Sequence, residues 1–177
     1  MWVFARSIPT TYTILAPRAI IETPEGGFGW ASPEAGFPTP FHALTPAVER
    51  LLAQIQIWAE TYKTNAFPIE WMGFSQGAAM VYAITALRPD VVNKAACLAG
   101  YLPGGAEDRL CLSDLAGKQF FIAHGSQDET VAPTYGRAAA QCLQQSGAKV
   151  DYCETETGHK LGAACFKGLD GFFGDGL

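Results

Sequence analysis

The chain has 177 residues, of which 49% are hydrophobic and 16% are charged, and its formal net charge is -5. These values describe a globular chain that can bury a sizeable core, and they exclude an intrinsically disordered protein. The chain contains no block of basic residues, which argues against nucleic acid or an anionic membrane as a partner. No apolar stretch is long enough to span a bilayer, and Arg6 and Pro9 interrupt the apolar N-terminus, so we expect neither a membrane span nor a signal peptide.

Cysteine and histidine residues are scattered along the chain. The five cysteines are an odd number and include no C-x-x-C pair. This pattern favours reduced core thiols in a cytoplasmic protein over a disulfide framework. The histidines, His42, His124 and His159, lack the spacing of metal ligands, so we expect no metal site.

The first forty residues contain two short predicted elements and a long loop. Residues 1–8 are predicted to form a short helix that ends at Pro9, and the β-branched, apolar residues 11–15 are predicted to form a buried strand. Residues 18–41 are rich in glycine, proline and aromatic residues without periodicity, which is typical of a functional or mobile loop. The aromatic side chains either line an apolar cleft or lie in exposed turns, and the sequence favours neither arrangement.

Helices and strands alternate over the remainder of the chain. Thr45-Pro46 has the form of a helix start, a capping residue followed by proline, and an apolar stripe at helical spacing follows it. The later predicted elements are strands at residues 69–74, 94–100, 120–123 and 150–153 and helices at residues 76–87, 133–145 and 160–173. This alternation predicts one α/β domain over residues 1–177, with a minimal, mostly parallel sheet flanked by helices and no separate cap domain.

A serine stands where a predicted strand meets a predicted helix. Gly73-Phe74-Ser75-Gln76-Gly77 joins the strand 69–74 to the helix 76–87 in a G-x-S-x-G pattern. This context is typical of a nucleophile elbow, in which a sharp turn lifts the hydroxyl above the sheet and small flanking residues let the strand and helix approach. The pattern alone also fits a plain glycine-rich turn, so the assignment of a nucleophile depends on partner residues.

Candidate partners for the serine follow two later strands. Asp128 comes after the strand 120–123, and His159 comes after the strand 150–153. A serine hydroxyl needs a base that takes its proton and an acid that orients the base, and the chain order Ser, Asp, His is that of α/β-hydrolase triads. A single loop histidine or aspartate is more often a turn or capping residue, but three such residues in this order predict a triad. We therefore predict Ser75 as nucleophile, His159 as general base and Asp128 as orienting acid.

These segments resemble a known family. The segments Gly73-Phe74-Ser75-Gln76-Gly77-Ala78-Ala79-Met80, His124-Gly125…Asp128 and Gly158-His159 are similar to the phospholipase/carboxylesterase family, which includes the acyl-protein thioesterases and small bacterial carboxylesterases. The likeness extends from about Thr11 to the C-terminal helix. It implies the α/β-hydrolase fold, the same three catalytic residues, and the backbone N–H of Gln76 as one oxyanion donor. It also makes Trp30 and Leu102 candidate substrate contacts.

The resemblance fails at the start of the chain. The family normally begins with an apolar strand that ends in His-Gly-x-Gly, whose backbone supplies a second oxyanion donor, and no such motif precedes Ser75. We therefore expect an N-terminally abbreviated domain, although a truncated reading frame explains the pattern equally well. Without that strand, the strand 11–15 either pairs directly with the elbow strand 69–74 or leaves a gap that a second copy fills, which would make a homodimer.

The predicted activity is the hydrolysis of carboxylic esters or thioesters with apolar acyl groups through an acyl-enzyme on Ser75. This chemistry needs an ester or thioester substrate and no cofactor. We expect a small-molecule substrate, and the sequence does not distinguish this from a lipidated protein. The alternative is a non-catalytic or weakly active relative that keeps the fold and binds an acyl ligand or a protein partner. Loss of one oxyanion donor typically lowers turnover by about 10²–10³-fold, so a weakened enzyme lies between the two.

Overall fold

The computed structural model of the chain describes residues 3–24 and 26–174. The strands are β1 (Ile21–Glu22), β2 (Phe28–Gly29), β3 (Ile69–Phe74), β4 (Val92–Leu98), β5 (Gln119–Gly125) and β6 (Lys149–Thr155). The α-helices are α1 (Phe41–Tyr62), α2 (Gln76–Leu87), α3 (Glu107–Cys111), α4 (Pro133–Gln145) and α5 (Ala163–Gly174). Short 3₁₀ helices cover Phe4–Ser7, Pro33–Ala35 and Pro89–Val91.

The four longer strands form one parallel sheet in the order β3-β4-β5-β6, and β1 and β2 form a separate antiparallel pair. Helices connect the parallel strands, so the α/β fold with a minimal parallel sheet is confirmed. Since the carboxyl ends of parallel strands meet at one edge of a sheet, the residues that follow β3, β5 and β6 come together there. None of the helices in the described ranges is long and apolar enough to cross a bilayer.

Both faces of the sheet are buried at β4, which explains the uninterrupted apolar run at residues 95–98. In β4, Ala95 and Cys97 face a core shared with α1, α2 and α4. The alternate residues Ala96 and Leu98 face a second core with α5 and the Phe4–Ser7 helix. Because successive side chains of a strand point to opposite faces, a strand segment covered on both faces needs consecutive apolar residues.

The predicted strand at residues 11–15 is wrong. These residues form no strand, and the side chains of Ile14 and Leu15 are 38% and 44% exposed. A β-branched sequence forms a strand only where a neighbouring edge and a packing surface accept it. Within the described ranges, no strand pairs with the outer edge of β3. Of the two expected arrangements, direct pairing of residues 11–15 with the elbow strand is therefore wrong. The homodimer remains a prediction. The predicted helix at residues 1–8 is reduced to Phe4–Ser7, and Met1 and Trp2 lie outside the described residues.

The first long helix begins at Phe41, one turn before the start predicted from Thr45-Pro46. The Phe41 N–H donates to the Gly104 carbonyl at 2.9 Å, so a contact distant in sequence anchors the first turn. Thr45 acts inside the helix, where its hydroxyl donates to the Phe41 carbonyl at 3.2 Å. The proline that suggested a helix start therefore lies within the second turn. A local capping pattern could not reveal the Gly104 partner.

The expected set of reduced cysteines is also wrong in the structure. Disulfides join Cys111 of α3 to Cys142 of α4 and Cys153 of β6 to Cys165 of α5. Their Cα–Cα separations, 4.8 and 5.6 Å, lie in the normal range for a disulfide. The pairs are 31 and 12 residues apart in sequence, and only the packing of α3 on α4 and of α5 on β6 brings them together. The cytoplasmic location stays a prediction, without support from the cysteine pattern.

Thiol counting provides a test of this pairing. Cys97 is the free cysteine, and its burial raises the pKa of the thiol to about 12, so little thiolate is available for reaction. For protein purified without reductant, we expect no iodoacetamide adduct in the native state and one adduct after denaturation. Protein that is reduced and denatured before iodoacetamide is added should give five adducts, one for each cysteine. Mass spectrometry counts the adducts, with Cys97→Ala as the control that removes the single one. Five adducts in denatured, unreduced protein would contradict the two disulfides.

Candidate active site

Ser75 lies in a strained turn between β3 and α2. Its backbone has φ 55° and ψ -119°, a conformation that side-chain-bearing residues rarely adopt and that typically costs about 1–3 kcal/mol. The Ser75 N–H donates to the Leu98 carbonyl at 2.8 Å, which ties the turn to the end of β4. A Cβ atom on Gly73 would lie 2.1 Å from the Gly77 carbonyl oxygen. The strand and helix therefore approach so closely that position 73 requires glycine, as expected for a nucleophile elbow.

The two glycines of the G-x-S-x-G pattern have different roles. A Cβ atom on Gly77 would meet no atom within 4 Å, in contrast to the clash at Gly73. We expect Gly73→Ala to lower the free energy of unfolding by roughly 3 kcal/mol, since its methyl group would force the helix and strand apart. Gly77→Ala should be neutral or stabilising by up to about 1 kcal/mol, because alanine favours a helix. Urea unfolding of both variants checks this, and equal destabilisation would contradict the assigned roles.

Asp128 is held by hydrogen bonds at both carboxylate oxygens. The backbone N–H groups of Thr130 and Val131 each donate to Oδ1 at 2.9 Å, and the Nδ1 atom of His159 lies 2.7 Å from Oδ2. Burial of Asp128 raises the pKa of its carboxyl group, but the Val131 N–H, His159 and the Thr130 N–H lower that pKa by more. The net pKa is below the ordinary value of 3.8, so Asp128 is an anion at neutral pH.

His159 reaches Asp128 because two loops cross at the sheet edge. The N–H groups of Ser126 and Gln127 donate to the carbonyls of Thr155 and Thr157, at 2.8 and 3.0 Å. A Cβ atom on Gly125 would lie 2.2 Å from the Gly158 carbonyl oxygen, so the crossing requires glycine at the end of β5. The His159 side chain is 23% exposed, whereas that of Asp128 is fully buried. Since Nδ1 of the imidazole contacts Asp128, the second nitrogen, Nε2, is the one that remains for proton transfer.

The Ser75 hydroxyl and the His159 imidazole lie at the same edge of the sheet. The ring of Phe74, which precedes Ser75, is centred 4.9 Å from the His159 ring, so the base packs directly beside the elbow. The hydrogen bonds of the described residues include none between Ser75 and His159. In ligand-free hydrolases this bond is often long and shortens only when substrate binds, so the arrangement is compatible with a triad.

Gln76 connects the elbow to the long N-terminal loop. As the first residue of α2, it has a backbone N–H without a helical partner, the geometry that a predicted oxyanion donor needs. Its side-chain oxygen accepts a hydrogen bond from the backbone N–H of Trp30 at 2.7 Å. The backbone N–H of Trp30 therefore already has a hydrogen-bond acceptor. The sequence motif indicated a role for the Gln76 backbone but not this contact of its side chain.

The two predicted substrate contacts lie in different surroundings. The Leu102 side chain is 6% exposed and belongs to the main core, so the substrate contact predicted for it stays untested. Trp30 is half-buried and lines an open groove of about 280 Å³ beside α1. Neither Ser75 nor His159 lines this groove. Its lining residues are Ala16, Pro17, Arg18, Ile20, Trp30, Arg50, Leu51, Gln54 and Trp58.

The sequence drew attention to His124 only as part of the His124-Gly125…Asp128 segment, although the residue also contacts the candidate acid. Its Nε2 atom lies 3.5 Å from Asp128 Oδ2, and its side chain is fully buried. The spacing of four residues between His124 and Asp128 could have indicated this contact only with knowledge of the turn that follows β5. No group of three potential metal ligands is present in residues 3–24 and 26–174.

The sheet, the strained serine and the buried aspartate–histidine pair together define an α/β-hydrolase fold. Among solved structures, the chain is similar to a carboxylesterase from Mesorhizobium loti, with 25% identity and a TM-score of 0.82 over 98% of this chain and 80% of that one. It is also similar to the Bacillus cereus carboxylesterase, with 19% identity and a TM-score of 0.86 over 99% and 81% of the two chains. Arabidopsis thaliana SOBER1 matches with 19% identity and a TM-score of 0.66 over 97% and 89%.

These matches cover nearly the whole chain and confirm the resemblance to the phospholipase/carboxylesterase family at the level of structure. By sequence, no family model and no curated protein matches the chain. Identities below 25% establish a shared fold, so the assignment of function depends on the residues of the site.

Proposed function

We propose that the chain is a serine hydrolase that cleaves carboxylic esters or thioesters with apolar acyl groups. The observation that carries this proposal is the strained Ser75 turn beside the pair formed by His159 Nδ1 and Asp128 Oδ2, 2.7 Å apart. Backbone strain at a serine between a strand and a helix is typical of the nucleophile elbow. The similarity to the carboxylesterases of Mesorhizobium loti and Bacillus cereus supports an ester substrate.

In the proposed reaction, each residue has one role. The Ser75 oxygen attacks the carbonyl carbon while His159 Nε2 takes the hydroxyl proton. The Gln76 N–H donates to the oxyanion of the tetrahedral intermediate, and the anionic Asp128 stabilises the imidazolium. His159 then protonates the leaving alcohol or thiol, which leaves an acyl group on Ser75. A water molecule, deprotonated by His159, attacks that acyl group and restores the free serine.

Covalent labelling and turnover test this proposal together. A fluorophosphonate should label the protein at one site, and peptide mass spectrometry should locate the adduct on Ser75. A series of p-nitrophenyl esters with increasing acyl length, compared with the matching thioesters, measures the acyl and leaving-group preference. A protein that is neither labelled nor active against any member of the series would contradict the proposal.

A weakly active relative is the second candidate function. The observation that favours it is that the hydrogen bonds of the described residues join His159 to Asp128 but not to Ser75. Labelling of Ser75 with turnover near the background rate would support this alternative. In that case the chain would bind an acyl ligand or form a slowly hydrolysed acyl-enzyme.

A further inference from the structure

His124 is a buried histidine that the proposed reaction does not use. It lies in β5, four residues before Asp128, and its side chain is 1% exposed. Histidine is costly to bury without hydrogen-bond partners, so a histidine at this position calls for a specific contact. Its neighbours show what that contact is.

The imidazole of His124 donates toward the Asp128 loop. Its Nε2 atom lies 2.9 Å from the Val131 carbonyl oxygen and 3.5 Å from Asp128 Oδ2. Because a carbonyl oxygen only accepts hydrogen bonds, we assign the proton to Nε2. The Nδ1 atom is buried without a partner among the described residues, so a second proton there would have no acceptor. His124 therefore donates through Nε2 in this contact.

This donor acts on both oxygens of the Asp128 carboxylate. Val131, whose carbonyl oxygen accepts from His124, also donates its backbone N–H, which belongs to the preceding peptide group, to Asp128 Oδ1 at 2.9 Å. The other oxygen, Oδ2, lies between His124 Nε2 at 3.5 Å and His159 Nδ1 at 2.7 Å. His124 thus anchors the residue whose N–H holds one carboxylate oxygen, and it lies beside the other oxygen, which orients His159.

We propose that His124 is a positioning residue, which sets the carboxylate of Asp128 and, through it, the orientation of His159. For its effect on turnover the inference rests on the proposed hydrolase function. The expected effect on the Asp128–His159 hydrogen bond does not rest on that function, because this bond is present in the protein without substrate.

A glycine on a neighbouring helix matches this assignment. A Cβ atom on Gly136 of α4 would lie 2.6 Å from His124 Nδ1, so a larger residue would displace the imidazole. Glycine weakens a helix interior, and its presence in α4 therefore needs a packing reason. The space required by the His124 ring supplies that reason.

Two substitutions of His124 separate its N–H from its bulk. His124→Phe keeps a ring of similar size without a donor, and His124→Gln keeps an N–H at similar reach without the ring. We expect His124→Phe to lower kcat by about ten- to a hundredfold with little change in KM, as for a lost hydrogen bond next to a charged group. His124→Gln should recover most of that loss. In the resting protein, the downfield proton resonance of His159 Nδ1–H should shift in His124→Phe and stay near its original position in His124→Gln.

Gly136→Ala provides a second test that leaves the histidine in place. It should lower kcat and shift the same proton resonance, because its methyl group displaces the imidazole. Gly171→Ala is the matched control, since a Cβ atom at this exposed position of α5 would meet nothing within 4 Å. It should change neither quantity.

The outcomes separate this inference from the proposed function. An unchanged resonance in both His124→Phe and Gly136→Ala would overturn the positioning role. Activity in His124→Phe equal to or above that in His124→Gln would also overturn it, since ring packing would then be what matters. A wild-type protein without hydrolase activity, whose resonance still shifts in His124→Phe and Gly136→Ala but not in Gly171→Ala, would support the positioning role and contradict the proposed reaction.

Discussion

We expect Ser75→Ala, His159→Ala and the double variant each to lower kcat by a similar factor, on the order of 10⁶. The effects should not add, because the base has no function without the hydroxyl it deprotonates and the hydroxyl is a poor nucleophile without the base. Steady-state hydrolysis of a p-nitrophenyl ester by the three variants measures this. Fluorophosphonate labelling should be lost in Ser75→Ala and strongly slowed in His159→Ala.

Matched controls are available for both residues. Ser126 lies in an exposed loop position at the same edge of the sheet, and His42 is exposed on α1. Ser126→Ala and His42→Ala should therefore keep the activity and labelling of the original chain. Labelling that persists in Ser75→Ala and disappears in Ser126→Ala would show that the nucleophile has been assigned to the wrong serine.

Asp128→Asn should lower kcat by about 10⁴-fold. The N–H groups of Thr130 and Val131 donate to Oδ1, so the amide oxygen of an asparagine has to occupy that position. The amide NH₂ group then faces His159 Nδ1, which must accept a hydrogen bond instead of donating one. The His159 proton moves to Nε2, and the imidazole can no longer take a proton from Ser75. Measurement of kcat and KM should show the loss in kcat.

The neighbouring carboxylates serve as controls for this substitution. Glu129 follows Asp128 directly in sequence, and Glu156 accepts a hydrogen bond at 3.1 Å from Gln127, the residue before Asp128. Glu129→Gln and Glu156→Gln should each change kcat by less than about threefold, because exposed side chains screened by water contribute little. A severe loss in either variant, with a mild loss in Asp128→Asn, would reassign the orienting acid.

Much of the fold and the candidate site followed from local sequence patterns. The strand Ile69–Phe74, the helix Gln76–Leu87 and the helix Pro133–Gln145 have the predicted bounds, because each combines a clear apolar pattern with turn or capping residues at its ends. The placement of Ser75, Asp128 and His159 after parallel strands was also predictable. Since such strands end at one edge of a sheet, their order along the chain was enough to bring them together.

Other features were decided by contacts between residues distant in sequence. The apolar residues 11–15 lack a neighbouring strand and remain exposed, and Phe41 begins a helix because Gly104 accepts its N–H. The disulfides depend on which helices pack together, and a pattern of cysteines in one sequence does not contain that information. The contacts of His124 with Val131 and Asp128 arise from the turn after β5. Local sequence determines where strands, helices and reactive side chains occur, whereas hydrogen bonds and packing across the fold determine which of them meet.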